Sequence, residues 1–105
     1  MSLKSRNLLT IDDLSNEEIE AFFLLADEMS ELMDKQSDVC RGKIMASLFL
    51  EPSTRTRLSF EAAMHRLGGS VITVSDVGAT SLAKGESLAD MAKIVGSYAD
   101  IIVIR

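Results

Sequence analysis

Ile44-Met45-Ala46-Ser47-Leu48-Phe49-Leu50 is a nearly continuous apolar run, and Glu51-Pro52-Ser53-Thr54 closes it with turn residues. A short apolar run bounded by such breakers suits a strand covered on both faces, as strands of parallel sheets are. From Arg55 onward Leu58, Phe60, Ala63, Met64 and Leu67 return at helical spacing, and Gly68-Gly69 offers a residue free to take positive φ where that helix must stop. Ser70-Val71-Ile72-Thr73-Val74-Ser75 is rich in β-branched side chains and predicts a second strand. Asp76–Glu86 reads as a polar loop, Ser87 or Glu86 opens a helix over Leu88–Tyr98, and Asp100-Ile101-Ile102-Val103-Ile104 predicts a third strand. Strands alternating with helices require crossover connections, which are right-handed and lay helices over a parallel sheet. The expected class is therefore α/β, a parallel sheet between helical layers in an α/β/α arrangement.

Upstream of this unit, Ser15-Asn16-Glu17-Glu18 has the form of a capping box. Ile19, Phe22, Phe23, Ala26, Met29, Leu32 and Met33 then recur every three or four residues, with Glu20, Asp27, Glu28, Glu31 and Asp34 on the other side. An acidic helix face of this kind reads as a solvated back. Gln36–Gly42 is a polar break, but no linker-like composition or internal repeat divides the chain.

The 105 residues are about one domain's worth, enough for a single modest core. At 47% apolar and 26% charged, the composition is that of a globular protein rather than a disordered or fibrous one. The net charge of −5 argues against a nucleic-acid binder, which normally carries a basic excess. That total conceals an asymmetry: residues 1–40 hold 3 basic and 10 acidic side chains, whereas 41–105 hold 8 basic and 6 acidic. An anion site is therefore expected in the second part. The single Cys40 has no internal disulfide partner, no Cys/His spacing fits zinc, and no apolar run approaches a membrane span. A reducing cytoplasm and no metal are expected. Because the chain stops at Arg105 directly after an apolar strand that should continue into a loop and covering helix, it reads as part of a longer protein.

In open parallel sheets, ligands bind beyond the carboxyl ends of the strands, where loops lead into helix N-termini and unpaired backbone N–H groups favour anions. Each of the three expected ends carries a cation. Ser53-Thr54-Arg55-Thr56-Arg57 follows the first strand, Thr80-Ser81-Leu82-Ala83-Lys84-Gly85-Glu86 the second, and Arg105 the third. Hydroxyls can ring a phosphate, and a guanidinium engages two of its oxygens at once. The grouping points to a small polyanionic ligand. Neither G-x-x-x-x-G-K-[ST] nor G-x-G-x-x-G occurs, which disfavours a nucleotide, and His65 lies within a helix with no nucleophile beside it. Arg57 is assigned a structural pairing with an acidic neighbour and stays outside the site.

Phe49-Leu50-Glu51-Pro52-Ser53-Thr54-Arg55-Thr56-Arg57-Leu58-Ser59-Phe60-Glu61, with Met64-His65-Arg66-Leu67-Gly68-Gly69 after it, resembles the carbamoyl-phosphate signature of the aspartate and ornithine carbamoyltransferases. Ser81–Asp90 and Tyr98–Arg105 are similar to the next two family segments, and the Met-His-Arg-Leu-Gly-Gly run with the second-loop lysine points to the aspartate branch. The resemblance implies that residues 1–105 are the N-terminal part of a carbamoyl-phosphate-binding domain. Ser53, Thr54, Arg55 and Thr56 would hold the phosphate, and Arg55 would stabilise it as it leaves. Thr56 and Arg105 would polarise the carbamoyl oxygen. Ser81 and Lys84 would reach into the neighbouring subunit of a homotrimer, where Lys84 contacts both carbamoyl phosphate and L-aspartate. No cofactor is implied, and regulatory chains are possible partners. The rest of the site, with the amino-acid-binding domain, would lie beyond residue 105, leaving this portion alone inactive. Two alternatives stay open at this point: an ornithine enzyme, and an anion-binding or purely structural module without chemistry.

Overall fold

The computed structural model describes residues 3–75, 85 and 87–105. The chain divides into two compact units, Met1–Lys35 and Gln36–Arg105, so the polar break at Gln36 is a boundary that composition alone did not mark. The first unit carries a 3-10 turn, Ile11–Asp13, followed by helix α1, Asn16–Ser30. Both begin with reciprocal capping boxes: Thr10 with Asp13, and Ser15 with Glu18. The apolar periodicity predicted a helix reaching Met33, yet α1 stops at Ser30. The amides of Leu32 and Met33 instead close i→i−3 bonds onto Met29 and Ser30, the tight turn by which helix ends satisfy their last carbonyls. Arg6 donates to the Glu18 carboxylate, and that bond, followed by the one from the Ser15 backbone N–H, holds the carboxyl below its ordinary range.

The second unit is the α/β sandwich. Strands β1 (Ile44–Leu48), β2 (Ser70–Val74) and β3 (Ile101–Ile104) alternate with helices α2 (Thr54–Arg66) and α3 (Leu88–Tyr98). All strands are parallel and the spatial order is β2-β1-β3, with Ser47 opposite Thr73 on one side and Ala46 opposite Ile102 on the other. The apolar run from Ile44 is thus the middle strand. Side chains alternate across a strand, and the two helices take opposite faces. Ser47 and Thr73 both reach Glu61 of α2, whereas Ile102, in register with Ala46, lies against Gly96 of α3. Cover from both sides explains why Met45, Ala46, Ser47 and Leu48 are all buried, where a half-covered strand would alternate.

Every core residue among those described belongs to this unit: Met45, Ala46, Leu48, Phe49, Met64 and Met91. The single core expected from length is therefore present, and it is built around β1. Gly68 ends α2 at φ +85, and a Cβ there would come within 2.6 Å of the Ser37 carbonyl oxygen. The loop before β1 is folded tightly onto that end. The amides of Ser37 and Cys40 donate to the carbonyls of Arg66 and Leu67, which the helix itself leaves free. Among the described residues, no helix is long and apolar enough to cross a membrane.

Candidate functional site

Chain order and spatial order together locate the site. From β1 the chain crosses through α2 to β2 on one side, then returns past β1 through α3 to β3 on the other. The connections therefore part company between β1 and β3. At such a switch point no crossover covers the carboxyl ends of the two strands, and a crevice is left there for a ligand. The residues emerging into it are Glu51 to Thr56 after β1 and Arg105 after β3. The main chain ties these ends together: the Arg105 amide donates to Leu48 O at 3.0 Å, and the Leu50 amide donates to Arg105 O at 2.8 Å.

Side chains complete the junction. Arg105 Nη1 donates to Thr56 Oγ1 at 3.2 Å, and Arg105 Nε donates to Glu51 Oε1 at 2.9 Å. Thr56 and Arg105, 49 positions apart in the chain, are brought into contact by the β1–β3 pairing. Glu51 was not singled out in the sequence. Its signal was available, since a charged residue directly beyond a buried strand must lie at the strand's carboxyl edge. The Glu51–Arg105 pair is more than half exposed on both sides, so water screens it and an incoming anion can displace the carboxylate at modest cost.

The start of α2 differs from the starts of α1 and α3. Ser15 and Ser87 each accept an N3 amide, and acidic residues occupy both first turns. Ser53, at φ −154 and ψ 57, makes no side-chain capping bond, and the first turn of α2 holds no acid. The first main-chain bond of α2 runs from Arg57 N to Ser53 O at 2.9 Å, so the amides of Thr54, Arg55 and Thr56 have no partner inside the helix. Three N–H donors, the positive end of the helix dipole, the Ser53 and Thr54 hydroxyls and the Arg55 guanidinium thus share one short segment. Arg55 is exposed and makes no hydrogen bond or ion pair with another described residue. The helix begins at Thr54, one residue ahead of the start expected from the periodicity.

Arg57 points elsewhere, as expected. Its Nη1 lies 3.1 Å from Glu61 Oε2 one turn along α2, which keeps it out of the crevice. Ser81 and Lys84, the remaining residues singled out in the sequence, lie outside the described residues, as does the polar loop expected over Asp76–Glu86 apart from Gly85. Ser53, Thr54, Arg55, Thr56 and Arg105 are the part of the sequence-derived site whose position is described, and all five stand at the β1 and β3 carboxyl edge.

A parallel sheet in the order β2-β1-β3 with α2 and α3 on opposite faces, and an uncapped helix start at its switch point, defines an open α/β domain. The chain belongs to the aspartate/ornithine carbamoyltransferase family, matching its carbamoyl-P binding domain over residues 6–105. Aspartate carbamoyltransferase catalytic subunits are similar throughout: that of Thermoplasma acidophilum is 56% identical over 105 residues, and that of Clostridium novyi 57% over 103, each covering 98% of this chain and 34% of the relative. Among solved structures, the catalytic subunit of M. jannaschii aspartate transcarbamoylase superposes with a TM-score of 0.87 at 50% identity, covering 94% of this chain and 33% of that one. Aspartate transcarbamoylase from Trypanosoma cruzi in complex with carbamoyl aspartate and phosphate gives 0.85 at 40% identity, covering 94% and 32%. The chain spans about a third of the length of the relatives it matches.

Proposed function

We propose that the full-length protein transfers the carbamoyl group of carbamoyl phosphate to the amine of L-aspartate, giving N-carbamoyl-L-aspartate and phosphate for pyrimidine biosynthesis in the cytoplasm. Residues 1–105 are the N-terminal part of its carbamoyl-phosphate-binding domain, and the remaining length supplies the amino-acid-binding domain. The observation that carries this reading is the contact of Thr56 Oγ1 with Arg105 Nη1 at 3.2 Å, beside the uncapped start of α2.

In this reading Ser53, Thr54, Arg55 and Thr56, with the free amides of the first turn, hold the phosphate. The Thr56 hydroxyl and the Arg105 guanidinium bind the carbamoyl oxygen. The aspartate amine attacks the carbonyl carbon, the new C–N bond forms, and negative charge gathers on that oxygen, where fixed donors are worth most. Collapse of the tetrahedral intermediate breaks the C–O bond to phosphate, the proton given up by the nitrogen passes to the departing phosphate, and Arg55 stabilises the charge that remains on it. No covalent enzyme intermediate is required. Arg105 is initially neutralised by Glu51, and carbamoyl phosphate exchanges that internal carboxylate for its own oxygen. Ser81 and Lys84 act in the neighbouring subunit of a homotrimer.

The test is product formation by the purified full-length protein, with aspartate and ornithine supplied in parallel. Carbamoyl aspartate is expected, and Arg55→Ala is expected to abolish it while leaving the fold intact. Turnover of ornithine alone would overturn the choice of acceptor, and transfer to neither amine would overturn the reading as a whole.

A further inference from the structure

Ser47, next to last in the middle strand, has no exposure, so its hydroxyl needs a partner other than water. It donates to Glu61 Oε2 of α2 at 3.1 Å. The same oxygen accepts from Thr73 Oγ1 of β2 at 3.3 Å and from Arg57 Nη1 at 3.1 Å. One largely buried carboxylate therefore gathers donors from β1, β2 and α2. A charged acceptor with several donors is far stiffer than the dispersion contacts around it.

The start of α2 is held less firmly. Ser53 does not cap it, and Thr56 is tied down through the exposed side chain of Arg105, which the proposed ligand must itself engage. At about 1.5 Å rise per residue, Thr54 to Thr56 lie roughly 7 to 11 Å along the axis from Glu61. Sliding or tilting of the helix about a loosened Glu61 would pass directly to the first-turn amides.

We infer that Glu61 is a positioning residue, which fixes the axial place of α2 on the sheet through Ser47 and Thr73 and so sets where the amides and hydroxyls of residues 53–56 meet the phosphate. This deepens the functional reading above and rests on it. Glu61 touches no ligand in this scheme. Arg57, also outside the crevice, acts by holding the carboxylate in place from one turn away, Nη1 to Oε2 at 3.1 Å. A displacement of about 1 Å in a positioned group can cost up to about a hundredfold in its effect.

The experiment measures carbamoyl phosphate and inorganic phosphate binding by calorimetry on the full-length protein, alongside thermal melting. Glu61→Gln keeps the volume and one acceptor oxygen and is expected to weaken carbamoyl phosphate binding about tenfold. Thr73→Val removes a single exposed donor and is expected to weaken binding about threefold; it is the deciding variant should Glu61→Gln not fold. Thr73→Ser, which restores the hydroxyl, is expected to recover it. Met91→Ala, at the buried position of α3 on the opposite face, should lower the melting temperature and bind as the unsubstituted protein does. Unchanged affinity in Glu61→Gln or, where that variant does not fold, in Thr73→Val would overturn the inference. So would an equal loss in Met91→Ala, because general loosening would then account for it. If the unsubstituted protein binds neither ligand, the functional reading itself falls, an outcome distinct from binding that ignores Glu61.

Discussion

Replacing Arg105 by alanine separates the proposed function from stability, because the main chain of that residue is bonded into the sheet while its side chain carries the proposed role. The main-chain bonds that end β3, Arg105 N to Leu48 O at 3.0 Å and Leu50 N to Arg105 O at 2.8 Å, survive the substitution. What is lost is the exposed pair with Glu51, worth about 0 to 1 kcal/mol, and the hydrogen bond to Thr56, worth about 0.5 to 1.5 kcal/mol net. Stability should therefore fall by about 0.5 to 2.5 kcal/mol. The loss of function should be larger. A hydrogen bond from a charged donor contributes about 1.5 to 3 kcal/mol to a bound ligand, and a donor aimed at developing negative charge contributes about a hundredfold to a thousandfold in rate. Steady-state formation of carbamoyl aspartate, calorimetric binding of carbamoyl phosphate and urea denaturation should be run on the same preparation of the full-length protein. The expected pattern is a fall of at least about a hundredfold in kcat in a protein that still unfolds cooperatively, its urea midpoint lowered by no more than that stability loss accounts for. A rate within about threefold of the unsubstituted protein would refute the placement of Arg105 at the carbamoyl oxygen. A collapse of the fold would refute the division of roles between its backbone and side chain.

Three further outcomes follow from the packing. Leu48, fully enclosed in the middle strand, should cost about 2 to 5 kcal/mol when cut to alanine, as read by urea denaturation, and a loss below about 1 kcal/mol would mean the sheet is not covered on both faces. Gly68→Ala should destabilise more than Gly42→Ala: both have positive φ, but a Cβ at 68 would press on the Ser37 carbonyl at 2.6 Å while one at 42 meets nothing within 4 Å. Equal melting temperatures for the two variants would contradict the tight seat of the loop on α2. Glu18, held below the ordinary carboxylate range first by its bond from Arg6, stabilises the folded form once pH exceeds the unfolded carboxylate value, and that contribution is lost as pH falls through the lower folded one. An NMR titration of Glu18 in Arg6→Gln should move its midpoint upward, and an unmoved midpoint would remove the bond as the cause.

Much of the fold could be read along the chain because its signals are local. Ile44–Leu50 announces a strand buried on both sides by lacking alternation, and Gly68 marks the end of α2 by needing positive φ. The bounds of α3, Leu88–Tyr98, coincide with those expected because Ser87 caps one end and the periodicity gives out at the other. Differences arise where local signals compete. The stretch after Ser30 keeps its apolar spacing although its amides turn to i→i−3 partners. The division at Lys35 depends on how the chain packs rather than on composition.

The cationic and hydroxylic groups at positions 53–56 and 105 were equally plain in the sequence, because their chemistry belongs to the residues themselves. Their meeting was not. Periodicity identifies strands but carries no information on which one lies in the middle, and only the order β2-β1-β3 sets Arg105 beside Thr56 and Glu51. Glu61 tells the same story from the other face. A serine in an apolar run implies a buried hydroxyl in need of a partner, but which side chain answers depends on how α2 lies across β1 and β2. Residue type and spacing thus determined the elements and which chemical groups stand at their ends. Strand order and helix placement decided which side chains act together, since contacts between distant residues depend on the burial free energy of the whole sheet and not on any one segment of it.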